Sequence, residues 1–177
     1  MNLNSQYVTN RNTRMVNIDT RGKFKSGNIL ECKFTAKFME TLNISKPTDI
    51  YLTSIYIGGY KTGSNYYDTS GIQAFSIKIP EFDILSIGAD ASGSYTELNR
   101  SIVLPMEGAD ASGAKRPFVL GHLSKTAVYI STLNPKKIDR LTVTIKDQDG
   151  DDIWDGIDNP PSVSRRVIMQ FTFVTTN

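Results

Sequence analysis

Apolar residues in this chain recur at every second position, in short runs broken by turn chemistry. Across residues 29–39, Leu30, Cys32, Phe34, Ala36 and Phe38 alternate with Glu31, Lys33, Thr35 and Lys37. A period of two marks a strand with one buried face. Residues 49–57 are rich in Ile, Tyr, Leu and Thr and run up to Gly58-Gly59, which reads as a breaker pair ending a strand. Phe75, Ile77 and Ile79 alternate with Ser76 and Lys78, and Pro80 ends that run. Leu141, Val143 and Ile145 alternate with Thr142 and Thr144. Val167, Met169, Phe171 and Phe173 alternate with Ile168, Gln170 and Thr172. Shorter apolar stretches lie at 82–87, 102–104, 117–120 and 126–131, and Met15, Val16 and Ile18 read as a short first strand.

Nowhere do apolar residues keep helical spacing over three turns. Residues 38–44 read as one short helical turn at most. About eight short strands without crossover helices predict an all-β, antiparallel, eight-stranded sandwich and exclude a parallel α/β fold. Gly-Ala-Asp-Ala-Ser-Gly occurs twice, at 88–93 and 108–113. Two copies fall short of the three or more that a stacked repeat needs, so both read as loops.

A chain of 177 residues fits one domain. One cysteine excludes an intramolecular disulfide framework and any Cys₄ or Cys₂His₂ zinc site, and one histidine excludes a His-rich metal site. The first ten residues hold no basic cluster or apolar stretch, so no secretory signal is expected. No run approaches the ~18 apolar residues of a membrane span. The net charge of +2 hides an asymmetry. Residues 1–46 carry eight Lys/Arg against three acids, whereas residues 47–177 carry twelve against fifteen. The chain therefore divides into a basic, Asn-rich N-terminal arm, 1–27, and a sandwich domain, 28–177. The arm reads as a tether toward nucleic acid or an acidic neighbour, or as a solvated leader. Its basic residues are spread out and lack the interleaved aromatics of base stacking, which favours the leader.

Candidate chemistry is sparse. Asp147, Asp149, Asp151, Asp152, Asp155 and Asp158 form an acid-rich stretch of the kind a hard cation takes. The calcium-loop spacing fails, because the glycine stands at position four and no glutamate closes the loop. Asp149-Gly150 reads instead as a type I′ hairpin turn. His122 has no nucleophile or carboxylate constellation around it, and Cys32 sits on an apolar strand face, where a small buried hydrophobe is the default. No phosphate-binding glycine loop is present. Catalytic, cofactor and metal residues are accordingly none. Trp154 beside the acids reads as a sugar-stacking or partner-anchoring residue, or as an aromatic covering the end of the core. Tyr56, Tyr60, Tyr66, Tyr67 and Tyr95 give the loops an adaptable aromatic surface. The candidate interface residues are Arg11, Arg14, Arg21, Tyr66, Tyr67 and Trp154.

Three places carry a family resemblance. The first runs from Asp19-Thr20-Arg21 through residues 28–34 to residues 49–57. The second joins Tyr129-Ile130-Ser131-Thr132-Leu133-Asn134-Pro135 to residues 138–145, closing with Asp147 and Asp149-Gly150. The third is the strand from Arg165-Arg166-Val167 to Phe173-Val174. In this order the segments resemble the single jelly-roll capsid proteins of large icosahedral dsDNA viruses and their satellite viruses, the penton and minor capsid proteins. The resemblance implies a single jelly roll and a structural role without catalysis or cofactor. It implies a virion location after synthesis in the host cytoplasm. It also implies a homopentamer at each vertex, set among major and minor capsid proteins, with the arm on the inner side. The length leaves room for one jelly roll and not two. A minor capsid or cement protein, and a sandwich that binds a glycan or receptor through Trp154 and the tyrosine loops, are the other readings.

Overall fold

The computed structural model describes residues 13–20, 32–60, 74–86, 100–105, 127–147, 150 and 164–175. They form eight strands: β1 (Thr13–Asp19), β2 (Lys33–Ile44), β3 (Thr48–Tyr60), β4 (Ala74–Lys78), β5 (Ser101–Pro105), β6 (Val128–Leu133), β7 (Lys136–Asp147) and β8 (Ser164–Thr175). Sheet A has the order β1-β8-β3-β6 and sheet B the order β2-β7-β4-β5, every pairing antiparallel. The expected all-β antiparallel sandwich of eight strands is what the chain forms. No α-helix occurs among the described residues.

Alternation explains why the sheets face each other. In β7, Leu141, Val143 and Ile145 are fully buried, as are Val167, Met169 and Phe171 in β8. The inward residues of both sheets merge into one apolar cluster, with Cys32 buried at its margin. Where the period of two breaks, the backbone absorbs the extra residue. Ile50, Leu52 and Ile55 are all buried although the last step is three. The register of β3 on β8 shifts between Leu52 and Ser54, and the Thr53 hydroxyl donates to the Gln170 carbonyl at 3.0 Å. A bulge keeps the inner set inside.

Several sequence expectations are corrected. The helical turn at 38–44 is part of β2. Phe38 and Leu42, four apart, mimic a helical stripe, but both pack on the core from either side of an irregularity in the β2–β7 register. Gly58-Gly59 does not end β3: the glycines pair with Arg166 and Arg165 of β8 and the strand reaches Tyr60. Of the expected Asp149-Gly150 turn, Asp149 lies outside the described residues. Gly150 does hold φ 83°, the left-handed region open to glycine.

The arm is also shorter than residues 1–27, since β1 is a full strand of sheet A. Ile18 is buried, and the end of β1 is locked to β8. Thr20 N–H donates to the Val167 carbonyl at 3.0 Å, and Thr20 Oγ1 accepts from Val167 N–H at 2.8 Å. Asp19 receives Arg166 Nε at 2.9 Å and Nη2 at 2.7 Å, a bidentate pair. Residues 21–31 lie outside the described residues.

After β4 the chain makes a single 3₁₀ turn, Pro80–Phe82, that the pattern did not foretell. Pro80 stands at its first position, where the missing N–H costs nothing. Asp83 follows at φ 49° and closes the turn by donating its N–H to the Pro80 carbonyl at 3.3 Å. This turn ties the two sheets together. Phe82 is fully buried and meets Phe171 and Phe173 of β8 edge-on, at centroid distances of 5.0 and 5.8 Å. Its carbonyl accepts from the Ser131 hydroxyl of β6 at 2.6 Å. Glu81 Oε2 accepts from Thr142 N–H of β7 at 3.0 Å, and Lys136 pairs with Asp83. On the opposite open side, Arg14 of β1 donates to the Asn43 carbonyl of β2 at 3.2 Å.

Replacing Phe82 by Ala removes the ring that spans the sheets and leaves a cavity against β8. Urea unfolding should register a loss of about 3–5 kcal/mol, the usual range for a buried aromatic truncated in a core. A loss under about 1 kcal/mol would contradict this role.

Candidate functional site

The sequence candidates divide by position. Arg14 is exposed on β1 and bridges to β2. Arg11, Arg21, Tyr66, Tyr67 and Trp154 lie outside the described residues, as do Tyr95, His122 and the acids beyond Asp147. Of the six interface candidates, Arg14 alone falls among the described residues. Cys32 is buried, and its carbonyl accepts from Ile145 N–H at 3.0 Å. Among the described residues, no three His, Cys, Asp or Glu side chains gather closely enough to hold a metal. No described helix is long and apolar enough to cross a membrane.

What the structure adds is a patch on the outer face of sheet A. Cross-strand register lines up Met15 of β1, Thr172 of β8, Tyr51 of β3 and Tyr129 of β6 in one row across all four strands. The ends of the row are open: Met15 is 63% exposed and Tyr129 55%. Tyr51 and Tyr129 are direct cross-strand partners, and their rings meet edge-on at 5.7 Å. Such a pair contributes about 0.5–1.5 kcal/mol beyond its buried area.

A hydrogen-bonded chain flanks the rings. Thr132 donates its hydroxyl hydrogen to Asp49 Oδ1. A threonine has one such hydrogen, so the 2.8 Å contact between Tyr129 Oη and Thr132 Oγ1 must be donated by the tyrosine. Tyr129, Thr132 and Asp49 thus form a directed relay that orients the exposed phenol. Burial, then the charge of Asp49, then Tyr129, pushes the Tyr51 phenol above the ordinary tyrosine value. Arg166 is held still more firmly protonated than usual, first by its hydrogen bond to Asp19.

The sequence signalled loop tyrosines and passed over Tyr51 and Tyr129, which lie on strands. The available signal was an aromatic at an outward position of an alternating run, where a polar residue is expected. Chemically, the patch offers rigid aromatic area, one carboxylate and hydroxyls. Tyrosine is among the residues enriched at protein interfaces.

The Tyr51 shift has a pH consequence. A raised value means that the folded state holds the phenolic proton more tightly than the unfolded chain. The associated stability is complete below about pH 10, the unfolded tyrosine value, and is lost as pH rises through the folded value. Titration of the Tyr51 ring by NMR should give a value above the ordinary one, and Asp49→Asn should lower it. A Tyr51 that titrates like a free tyrosine would contradict the geometry.

No family model, no curated protein and no solved structure matches this chain, so its function is argued from the residues and the fold themselves.

Proposed function

We propose that the chain is a single jelly roll acting as a structural capsid protein, the penton-like component that closes five-fold vertices as a homopentamer. The observation that carries this reading is the strand pairing. β1 pairs with β8, β2 with β7, β3 with β6 and β4 with β5, and the four pairs fall alternately in the two sheets. That is the result of rolling one long hairpin across a sandwich. An eight-stranded double sheet wound in this way supports a jelly roll, an architecture that recurs in viral capsid and lectin domains.

Architecture alone hosts several roles. Two further points favour self-assembly. β1 and β6 are edge strands of sheet A, and β2 and β5 are edge strands of sheet B. Exposed edges are covered in stable proteins, and a ring of copies supplies cover by repeating one contact until it closes. The outer face of sheet A also presents an aromatic and apolar row suited to a broad contact. The resemblance of the segment order to capsid jelly rolls points the same way, to a virion part whose neighbours are other capsid proteins. A minor capsid or cement position would use the same fold in a different stoichiometry. The pair of half-buried Tyr51 and exposed Tyr129 favours one rival, a lectin-like module that stacks a sugar ring on it.

Light scattering of the purified chain decides between them. The reading predicts a particle of five times 19.7 kDa. A stable monomer that binds oligosaccharides would contradict it and support the lectin-like module.

A further inference from the structure

The outer faces of the two sheets are chemically opposite. On sheet B, the outward residues of β2 are Lys33, Thr35 and Lys37, which alternate with core-facing Phe34 and Ala36. Register brings Lys33 and Lys78 to either side of Thr144, and Lys146 beside Ser76. At the usual strand spacing, Lys33 and Lys78 stand about 10 Å apart. Lys37 lies directly opposite Arg140. Like charges in that position disfavour the isolated sheet. Arg140 reaches Asp139 only at 3.9 Å, and Glu81 is engaged with Thr142. Among the described residues, Lys33, Lys37 and Lys78 enter no ion pair.

Sheet A presents the reverse. Its outer row of Met15, Thr172, Tyr51 and Tyr129 carries no charge, with Thr172 itself buried; Asp49 stands beside the row, and Arg166, six residues along β8 from Thr172, is paired with Asp19.

We propose that the outer face of sheet B of one copy docks on the outer face of sheet A of the next. Lys33, Lys37 and Lys78 come to rest on the tyrosine faces and on Asp49 of the neighbour. A lysine ammonium over a tyrosine ring is attracted by the ring's quadrupole. A negative carboxylate set against Lys37 and Arg140 relieves their repulsion. The two faces belong to different sheets of one sandwich, so the contact is head-to-tail, and it closes into a ring when successive copies turn by one constant angle that divides the circle. A nucleic-acid backbone would satisfy the basic face alone and leave the tyrosine row without a role. The proposal rests on the homopentamer reading and names the surfaces that build it.

The test uses the full chain, with association measured by analytical ultracentrifugation at low and high salt. Each variant's fold is checked by its circular dichroism and thermal midpoint. Lys33→Glu combined with Lys78→Glu should weaken association about tenfold or more, as should Tyr129→Ala. Lys46→Glu, an exposed change in the β2–β3 turn, should leave it unchanged. Adding Asp49→Lys to the lysine double variant should restore part of the loss by exchanging the signs of both faces. A ring that persists unchanged in both the lysine and the tyrosine variants would overturn the docking while leaving the pentamer standing. A wild-type chain that stays monomeric at every concentration would overturn the pentamer and the docking with it. Lysine variants that keep the ring but lose binding to a mixed-sequence DNA oligonucleotide would assign the face to nucleic acid and overturn the docking.

Discussion

Two separate hydrogen-bonded sheets have no ladder in common, and what joins them lies between them. Here the joint is Phe82. Its ring is fully buried against Phe171 and Phe173 of sheet A, while its own turn leaves β4 of sheet B. The backbone around it is spoken for: Ser131 takes the Phe82 carbonyl, and Glu81 takes the Thr142 N–H of β7 beyond the end of β4. A buried carbonyl without a partner would cost about 1–3 kcal/mol, so the turn and the ring fix each other. The 3₁₀ turn closes one open side of the sandwich and the Arg14–Asn43 bridge the other. The flat outer faces depend on this, because a face holds its register only while the sheet beneath it is held.

The sequence made the buried half of each strand readable. Leu141, Val143 and Ile145, and Val167, Met169 and Phe171, are inward because alternation with Thr, Ile and Gln leaves one face apolar, and the structure buries all six. Legibility failed where tertiary contacts overrule local pattern. Gly58-Gly59 stays extended because twelve residues of β8 run alongside β3. Phe38 and Leu42 look helical because a bulge changes the period. The strand at Met15, Val16 and Ile18 is readable, but its membership of the sandwich rather than of the arm is not, because its neighbours are polar. Its place in the sheet comes from Ile18 and from Asp19 and Thr20 gripping β8, contacts made across about 150 residues of chain that no local window registers.

The candidate site was less readable than the fold, for a related reason. Tyr66, Tyr67 and Trp154 stand out in the sequence because they break a polar run. Tyr51 and Tyr129 do not stand out, since aromatics are common in strands. Only the register makes them one object with Thr172 and Met15. The basic character of sheet B was equally diffuse. Lys33, Lys78, Arg140 and Lys146 are spread over more than a hundred positions and converge because β7 lies between β2 and β4.

The functional proposal comes down to geometry: one sandwich has a cationic face and an aromatic face, which we propose meet head-to-tail in a ring of five copies. The most direct test is electron microscopy of the purified assembly, with class averages scored for rotational symmetry. The account predicts closed rings of five sandwiches standing side by side, face against face. Two-fold particles in which identical faces meet, or open filaments, would contradict it.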